Sequence, residues 1–467
     1  RCVWMNTIET TSTAVSRLAT FVAAAEVPPS AREIARDAVQ DTIGVALAGA
    51  AEAASLIVQR LVGTDGGSGL CSVLGTSIKC GPSFAALANG TAAHALDFDD
   101  MCWISLAHPS APLVSSTLAV GEMADVSGRD FLDAYVVGFE IEAVLGRTMN
   151  PLHYTRGWHG TATIGTLGAA AAASRVLGLD TETTGRALAI ASSEASGLKE
   201  NFGTMVKPLQ GGLAARNGVL AALLAREGFS ASVHAIDGTQ GLLIAMQSSG
   251  TDLKDGCEQL GKRWEIVEGG ITMKLYPSCA ATHPTIDTLI DLRREMNVAP
   301  SEIESVEISV DSVTPTVLIY SQPINGLEGK FSLHYCAAAA LAFGHVGIDT
   351  FETAAMTSPE VQRILPLVKM RADNCLGVEA PPLTEARVTL RLSGERTVER
   401  FARGARGYPD RPASSKERDS KFMSCARRVV SPDVAAESLG FLRSLEKSDS
   451  VRGLSVRLIG SQLSQSA

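Results

Sequence analysis

The chain has 467 residues, of which 45% are hydrophobic, 5% aromatic and 19% charged, and its formal net charge is −9. This length favours two or three domains, and the hydrophobic fraction excludes disorder over most of the chain. Because no basic stripe offsets the negative charge, nucleic-acid binding is not expected.

The cysteines and the absence of a long apolar run indicate the expected compartment. The chain has nine cysteines and no CxxC motif, so free thiols in a reducing environment are expected. No apolar run reaches the ~20 residues that span a bilayer, and residues 1–5 lack the apolar stretch of a signal peptide. We therefore expect a cytoplasmic protein that does not enter a membrane.

From about residue 12 to residue 270 the apolar residues recur at helical spacing. Pro28 and Pro29 separate two helices, and Ser30 with Glu33 predicts a capping box at the start of the second. The segment 161–174 is small and apolar on all sides, which predicts a buried central helix rather than a membrane span.

The pattern changes near residue 271. Residues 303–310 alternate as a half-buried strand does, and residues 388–399 read as a β-hairpin. Helices are predicted over 333–343 and 351–364. We therefore assign residues 271–405 to an α+β domain, followed by a loop over 403–421 and a last helix over 432–445.

A cluster of titratable side chains follows an apolar helical stretch in the first half of the chain. Three carboxylates and two imidazoles fall within fifteen residues, namely His94, Asp97, Asp99, Asp100 and His108. Burying such groups without partners is costly. The cluster is therefore a metal site, a proton-transfer site or an internal salt-bridge network. The absence of an HExxH motif or a paired-histidine spacing disfavours the metal.

Local backbone preferences place some of these side chains. A continued helix would put Asp97 and Met101 on one face, whereas Pro109 disfavours helix at His108. His159 precedes the small-residue helix, whose N-terminus favours a neutral imidazole. His159 is thus a candidate general base or carboxylate ligand, and a capping or core histidine is the alternative.

Two lysines and a tyrosine complete the set of candidates. Lys207 precedes Pro208, so extended backbone is expected there, and simple solvation is the alternative to a site role. Lys274 lies where the helical region gives way to the α+β region, and pockets prefer such interfaces. Tyr320 could enter the same cleft, while His283 is expected in a structural turn. The set suits proton removal beside a carboxylate held by cations.

Five sequence blocks resemble those of the MmgE/PrpD family in order and separation, over essentially the whole chain. They are GTAAHALDFDD (90–100), HPSAP (108–112), GWHGTATIGTLGAAAAAS (157–174), KPL with GLAARNG (within 207–218) and KLYPSCAATHPTID (274–287). The resemblance implies a mainly α fold, with a large all-helical domain (6–270 with 406–467) and a smaller α+β lid domain (271–405). It also implies a homodimer that acts on a small polycarboxylate without a metal or another cofactor.

The resemblance also implies an activity and its residues. The family's active-site groups fall on Asp97, His108, His159, Lys207, Lys274 and Tyr320. We predict a lyase that removes a proton α to a carboxylate and expels a β group, as 2-methylcitrate dehydratases do. An epimerase of an iminodisuccinate-like acid is the alternative, and a cis-aconitate-type decarboxylase is the third. A protein that only binds a polycarboxylate is a further alternative.

Each group has an expected role. One of the two site histidines is the base and the other the acid, and Asp97 orients an imidazole. Both lysines hold carboxylates, and Tyr320 donates a proton to the leaving group or the carbon. Met101 stands where many relatives carry Thr, and Gln210 where relatives often have His. Both positions are expected to contact the substrate.

Overall fold

The computed structural model describes residues 13–246, 248 and 252–458. Cys2 and the outer limits of the predicted helical domain (6–12 and 459–467) lie outside the described residues. The N-terminal part is built almost entirely of helices. They are α1 (Ala14–Ala24), α2 (Pro29–Gly49), α3 (Ala53–Asp65), α4 (Pro82–His94), α5 (Ser110–Ala124), α6 (Gly128–Met149), α7 (Leu152–Thr155), α8 (Gly160–Val176), α9 (Thr181–Glu194), α10 (Val206–Arg226), α11 (Leu242–Ala245), α12 (Leu253–Gln259) and α13 (Glu265–Glu268).

The following part mixes helices and strands. Its helices are α14 (His283–Glu295), α15 (Gly326–Gly329), α16 (Leu333–Phe343), α17 (Thr353–Met356) and α18 (Pro359–Ile364). Its sheet consists of β3 (Ile303–Val310), β4 (Val368–Ala372), β5 (Glu385–Leu392) and β6 (Arg396–Arg403). The strand order is β4-β3-β5-β6, with β4 parallel to β3 and the other pairs antiparallel. The mainly α fold with a smaller α+β part is therefore confirmed.

The centre of the helical part is the small-residue helix α8. It contacts α5, α6, α9 and α10, and its residues 160–174 are all buried. The small Gly, Ala and Thr side chains allow neighbouring helices to approach α8 closely on every side. Because α8 is covered on all sides, it needs no polar face. The predicted central helix over 161–174 is confirmed, as are the strand over 303–310, the hairpin near residue 393 and the helix over 333–343.

The last helices return to the first part of the chain. They are α19 (Ser415–Ala426), α20 (Pro432–Arg443) and α21 (Arg452–Arg457). Helices α19 and α20 both contact α2. At the contact with α19, a Cβ added to Gly44 would lie 2.9 Å from Cδ2 of Phe422.

Four local predictions are wrong. Pro28 is the N-cap of α2, so Ser30 lies in the first turn and caps nothing, because Pro29 starts the helix earlier. The predicted loop over 403–421 ends at Ser415, where Ser414 and Glu417 form a capping box. The predicted helix over 351–364 is broken before Pro359.

The fourth wrong prediction concerns the helical part, which is not free of strands. A short antiparallel pair, β1 (Cys71–Ser72) with β2 (Lys79–Cys80), lies between α3 and α4. Each strand has only two residues, too few to produce a recognisable alternation in sequence.

Two other expectations concern membranes and thiols. No single helix among the described residues is long and apolar enough to cross a membrane. The bent pair α2 and α3 together is long and apolar enough by length and composition alone. The eight described cysteines are free thiols.

Candidate active site

The site is built where α4 ends and α10 begins. These helices run in opposite directions at very close range, since a Cβ added to Gly90 would lie 2.8 Å from Cα of Gly212. This approach brings the last residue of α4, His94, to the first turn of α10, where Nζ of Lys207 lies 2.9 Å from Nε2 of His94. The small residues of both helices therefore set the position of two titratable side chains.

Lys207 is helical rather than extended. It is the second residue of α10, and Pro208 follows in the same first turn. The prediction of extended backbone is wrong because a proline in the first helical turn loses no hydrogen bond. As a result the Lys207 side chain starts from a fixed helical backbone.

Asp97 lies at the centre of the charged groups. The chain has left α4, and Asp97 adopts a left-handed backbone (φ 51°). The prediction that Asp97 and Met101 share a helical face is therefore wrong. Oδ1 of Asp97 accepts hydrogen bonds from Nζ of Lys207 and from Nζ of Lys274, each at 2.9 Å. Lys274 also donates to the Asp97 carbonyl at 2.9 Å. Burial alone would raise the pKa of Asp97, but Lys207 and Lys274 lower it well below its usual range.

His108 follows a short loop, as Pro109 predicts, and lies between two carboxylates. Its Nε2 is 3.6 Å from Oδ1 of Asp97, and its Nδ1 is 3.4 Å from Oδ2 of Asp99. Burial, followed by the charge of Lys274, lowers the pKa of His108 to about 3, while Asp99 opposes this change. The resting imidazole is therefore neutral.

His159 is the N-cap of α8, at the predicted position. Its Nδ1 lies 2.6 Å from Oε1 of Gln210, and Nε2 of Gln210 donates to the Leu198 carbonyl at 3.2 Å. Because the amide nitrogen of Gln210 faces Leu198, its oxygen faces His159, so Nδ1 of His159 carries the proton. Nε2 of His159 is buried and has no hydrogen-bond partner among the described residues. Burial and the charge of Lys207 hold its pKa well below the usual range.

The other two carboxylates of the cluster separate. Oδ2 of Asp99 lies 2.7 Å from Nδ1 of His94, inside the site. Oδ1 of Asp100 instead accepts a hydrogen bond from the backbone N–H of Ser110 at 3.2 Å. The Ser110 hydroxyl donates to Oδ2 of Asp100 and lies 2.5 Å from the Tyr135 hydroxyl. Asp100 therefore belongs to a neighbouring buried network, and burial raises its pKa to about 7.

Two phenylalanines from different parts of the chain cover the charged groups. The ring centroids of Phe202 and Phe331 are 5.2 Å apart, and Nζ of Lys207 lies 5.4 and 5.3 Å from them. Phe202 also meets the His159 ring edge-on at 5.0 Å. Lys207 and His159 are both buried beside these rings.

Tyr320 lies on the outer side of this aromatic cover and is half-buried. Its hydroxyl donates to the Phe202 carbonyl at 2.9 Å. Its ring covers Gly203 (φ +83°), where an added Cβ would lie 2.6 Å from the Tyr320 hydroxyl. The role of Tyr320 as a proton donor therefore stays a prediction, and its hydroxyl would first have to leave the Phe202 carbonyl.

The two positions that depart from the family pattern differ in their surroundings. Gln210 contacts His159 directly, as described above. Met101 is buried in a hydrophobic cluster with Leu106 and Tyr154, and its backbone N–H donates to the Thr272 carbonyl at 2.9 Å. Substrate contact by either side chain stays a prediction. His283 lies at the start of α14, with Nε2 3.2 Å from the Ser278 carbonyl, which fits the predicted structural turn.

The sequence analysis missed Lys330. This buried lysine, which lies between Tyr320 and α16 in the chain, donates to the carbonyls of Leu96 and Pro277 at 2.9 and 3.0 Å. It thereby joins the loop of Asp97 to the loop of Lys274. Burial lowers the pKa of Lys330 to about 8. No pattern around this position distinguishes it from a solvated lysine.

A metal ion is the alternative use of these groups. His94, Asp97, Asp99 and His108 offer ligand atoms within 4.8 Å of one another. However, Oδ1 of Asp97 already accepts from two ammonium groups, and Nε2 of His94 accepts from one of them. A cation would have to displace these ammonium groups, so the donor set fits the two lysines better than a metal.

Three imidazoles, two ammonium groups and two buried carboxylates converge between the helical part and the α+β part. This combination suits acid–base chemistry on a small anion. The comparison with known proteins agrees. The chain belongs to the MmgE/PrpD family, since the MmgE/PrpD N-terminal domain matches residues 16–254 and the C-terminal domain matches residues 276–447.

The named relatives are two cis-aconitate decarboxylases, which are lyases, and one cis-aconitate decarboxylase-like protein. The cis-aconitate decarboxylase-like protein oryM of Aspergillus oryzae is 29% identical over 416 residues, which cover 84% of this chain and 85% of that protein. The cis-aconitate decarboxylase of Homo sapiens is 26% identical, with 82% and 80% covered, and that of Mus musculus is 28% identical, with 78% and 76% covered. The resemblance found in the sequence and the assignment as an enzyme are thus confirmed.

Proposed function

We propose that this chain is a lyase that decarboxylates a small unsaturated tricarboxylate, with cis-aconitate as the first substrate to test. The relatives named above support this reaction. The sequence analysis placed elimination first and decarboxylation third, and the names of the relatives favour putting decarboxylation first. All these reactions share a carbanion next to a carboxylate and differ in how it forms or what becomes of it.

The lysines support binding of an anion with several carboxylates. Lys207 donates two hydrogen bonds, to His94 and Asp97, and Lys274 donates two, to the side chain and carbonyl of Asp97. Each ammonium has three N–H groups, so each keeps one for a substrate carboxylate. Asp97 accepts from both ammonium groups, and Asp99 lies one residue further along the same network through His94, so the attraction for a carboxylate comes from the remaining N–H donors.

The reaction consumes one proton. The bond between carbon and the departing carboxylate breaks, and CO₂ leaves. The electron pair of this bond stays on the substrate and passes into the remaining unsaturated carboxylate. The ammonium groups stabilise the resulting enolate-like charge. A proton then adds to carbon, so that a trianion and a proton yield a dianion and CO₂.

The structural observation that carries proton transfer at this site is the unpartnered Nε2 of His159 beside the charge of Lys207, and the named relatives favour decarboxylation over elimination. A bound trianion favours the charged form of nearby imidazoles, so a proton is taken up with the substrate. His159 or His108 then delivers this proton to carbon. The other histidine stays neutral, and the two roles are not yet divided between them.

Elimination from 2-methylcitrate is the second candidate. The same Nε2 of His159 is a bare acceptor in the resting site and suits proton abstraction equally well. Epimerisation would need a second group on the opposite face of the carbon, and Lys274 or Tyr320 would have to supply it.

The test is proton NMR of the chelator-treated enzyme in D₂O with three separate substrates: cis-aconitate, 2-methylcitrate and one stereoisomer of iminodisuccinate. We expect cis-aconitate to give the signals of a product that has lost one carboxylate and carries one deuterium on its protonated carbon. An alkene formed from 2-methylcitrate without CO₂ would instead establish a dehydratase. Stereochemical scrambling with deuterium at Cα would establish an epimerase, and no reaction with any of them would favour a binding-only role.

The homodimer and the cytoplasmic location stay predictions from the sequence. We propose the homodimer on the family resemblance alone. Light scattering during gel filtration would test it, with an expected mass twice the 48.9 kDa of the chain. A monomer that is fully active would contradict it.

A further inference from the structure

His94 lies between a carboxylate and an ammonium, and although it belongs to the titratable cluster seen in the sequence, neither the family resemblance nor the proposed reaction gives it a role. Its Nδ1 is 2.7 Å from Oδ2 of Asp99, and its Nε2 is 2.9 Å from Nζ of Lys207. The side chains of His94 and Asp99 are completely buried. Its ring also stacks 5.6 Å from the His159 ring and lies edge-on 4.7 Å from the His108 ring.

The partners of His94 determine its tautomer. A lysine ammonium only donates hydrogen bonds, so Nε2 of His94 must accept from Lys207. The ring proton is then on Nδ1 and is donated to Asp99. Burial lowers the pKa of His94, which agrees with a neutral ring, although the charge of Asp99 opposes this change.

This chain of hydrogen bonds orients the Lys207 ammonium. His94 and Asp97 take two of its three N–H groups, each at 2.9 Å. The rings of Phe202 and Phe331 flank the ammonium at 5.4 and 5.3 Å and offer no hydrogen-bond acceptor. The third N–H therefore has a fixed direction and no hydrogen-bond partner among the described residues.

We propose that His94 is a positioning residue for substrate binding: it aims the free N–H of Lys207 at a substrate carboxylate, and Asp99 acts through it by fixing its tautomer. His94 itself exchanges no proton with the substrate, because both ring nitrogens are occupied. The proposal rests on the proposed function only in giving Lys207 a substrate carboxylate to hold.

Two substitutions separate positioning from mere filling of space. In His94→Gln, the amide oxygen can occupy the place of Nε2 and accept from Lys207. In His94→Asn, the shorter amide can reach Asp99 but not Lys207. We expect KM to rise about 10- to 100-fold in H94N, with a smaller rise in H94Q and a smaller change in kcat, because a hydrogen bond to a charged group is lost only in H94N. Equal KM values in the two variants would overturn the proposal.

The exposed His234 provides the matched control. We expect His234→Gln to leave KM and kcat unchanged. Thermal unfolding of all three variants shows whether they fold, and the comparison of KM is made only between folded variants.

A second measurement uses the unmodified protein and does not depend on its activity. Two-bond ¹H–¹⁵N correlation of ¹⁵N-histidine-labelled protein reports which ring nitrogen carries the proton, and the His94 signal is the one that disappears in H94Q. We expect Nδ1–H with a hydrogen-bonded, unprotonated Nε2 between pH 6 and pH 8. An Nε2–H tautomer or an imidazolium would overturn the proposal even if the enzyme decarboxylates cis-aconitate. If the tautomer is as expected but no substrate is turned over, the proposed function fails and the orientation of Lys207 by His94 stands.

Discussion

The 2.6 Å hydrogen bond between Nδ1 of His159 and Oε1 of Gln210 determines which nitrogen of His159 is free. Gln210 is itself oriented by its hydrogen bond to the Leu198 carbonyl. A glutamine is a neutral acceptor, so it fixes the tautomer of His159, and its hydrogen bond raises the His159 pKa by less than burial and Lys207 lower it. His159 thus stays neutral until an anion arrives.

Replacing Gln210 with a carboxylate tests this relationship. In Gln210→Glu, a negative charge beside Nδ1 raises the pKa of His159, which burial and Lys207 now hold well below the usual range. If His159 acts as an acid, the alkaline limb of the kcat profile moves to higher pH. If it acts as a base, the acidic limb moves to higher pH. A pH–rate profile that does not shift would contradict a role for His159 in proton transfer.

Removing the imidazole should abolish most of the activity. We expect His159→Gln to lower kcat by about 10²–10⁴, the usual contribution of a positioned acid or base. The measurement is steady-state turnover of cis-aconitate, with the exposed His234→Gln as control. Unchanged turnover in H159Q would remove His159 from the mechanism.

Buried neutral histidines should make the protein sensitive to acid. Burial lowers the pKa of His108 and His283 to about 3 and that of His153 to about 4. The unfolded chain binds protons at these groups below its pKa of about 6.5, and the folded protein does not. The stability they contribute is therefore complete above pH 6.5 and lost as the pH falls towards 3. Each group should lower the free energy of unfolding by about 2 kcal/mol as the pH falls from 7 to 5.

His283 is the group on which to measure this effect, because its ring contacts the Ser278 carbonyl and not a member of the acid–base pair. Between pH 7 and pH 5, the free energy of unfolding of His283→Gln, measured with urea, should fall by about 2 kcal/mol less than that of the unmodified protein. The comparison of variants is needed because burial raises the pKa of Asp100 and Glu140 to about 7, and these groups oppose the histidines. Equal losses in both proteins would show that His283 is already charged in the folded state.

Lys330 should matter for both stability and activity. Lys330→Met leaves the carbonyls of Leu96 and Pro277 without their donor, at a cost of about 2–4 kcal/mol in unfolding free energy. Activity should fall as well, since the loops of Asp97 and Lys274 lose their link. The control is Lys369→Met, because Lys369 is exposed on β4. If K330M is as stable and active as K369M, Lys330 does not join the two loops.

The reaction should not depend on a metal. Two ammonium groups donate to Oδ1 of Asp97, the oxygen that a cation would need. We expect treatment with EDTA followed by gel filtration to leave turnover unchanged. A loss of activity that one divalent ion restores would contradict the assignment of these side chains to lysine partners.

Much of the fold follows from local periodicity. The central helix, the strand over 303–310 and the helix over 333–343 each carry a pattern that repeats within one element, so neighbours in sequence are sufficient to predict them. The start of α19 was missed although its signal was present, since Ser414 and Glu417 have the spacing of a capping box. The pair β1–β2 had no usable signal at two residues a strand.

The site was predictable in its members but not in its connections. The motifs supplied Asp97, His108, His159 and both lysines, and the structure brings these five together. What the sequence could not give is which atoms meet, because this depends on helices that are distant in sequence. The contact of His94 with Lys207 spans 113 residues, and that of Lys330 with Leu96 spans 234.

The left-handed backbone of Asp97 restricts how this position can change over generations. Lys274 uses both the carbonyl and the carboxylate of the same residue, so the site needs a particular turn and a particular charge at one position. Asparagine and glycine tolerate the turn but remove the charge. Glutamate keeps the charge but lacks the short side chain that tolerates this backbone. No single substitution at position 97 therefore keeps both the left-handed turn and the negative charge.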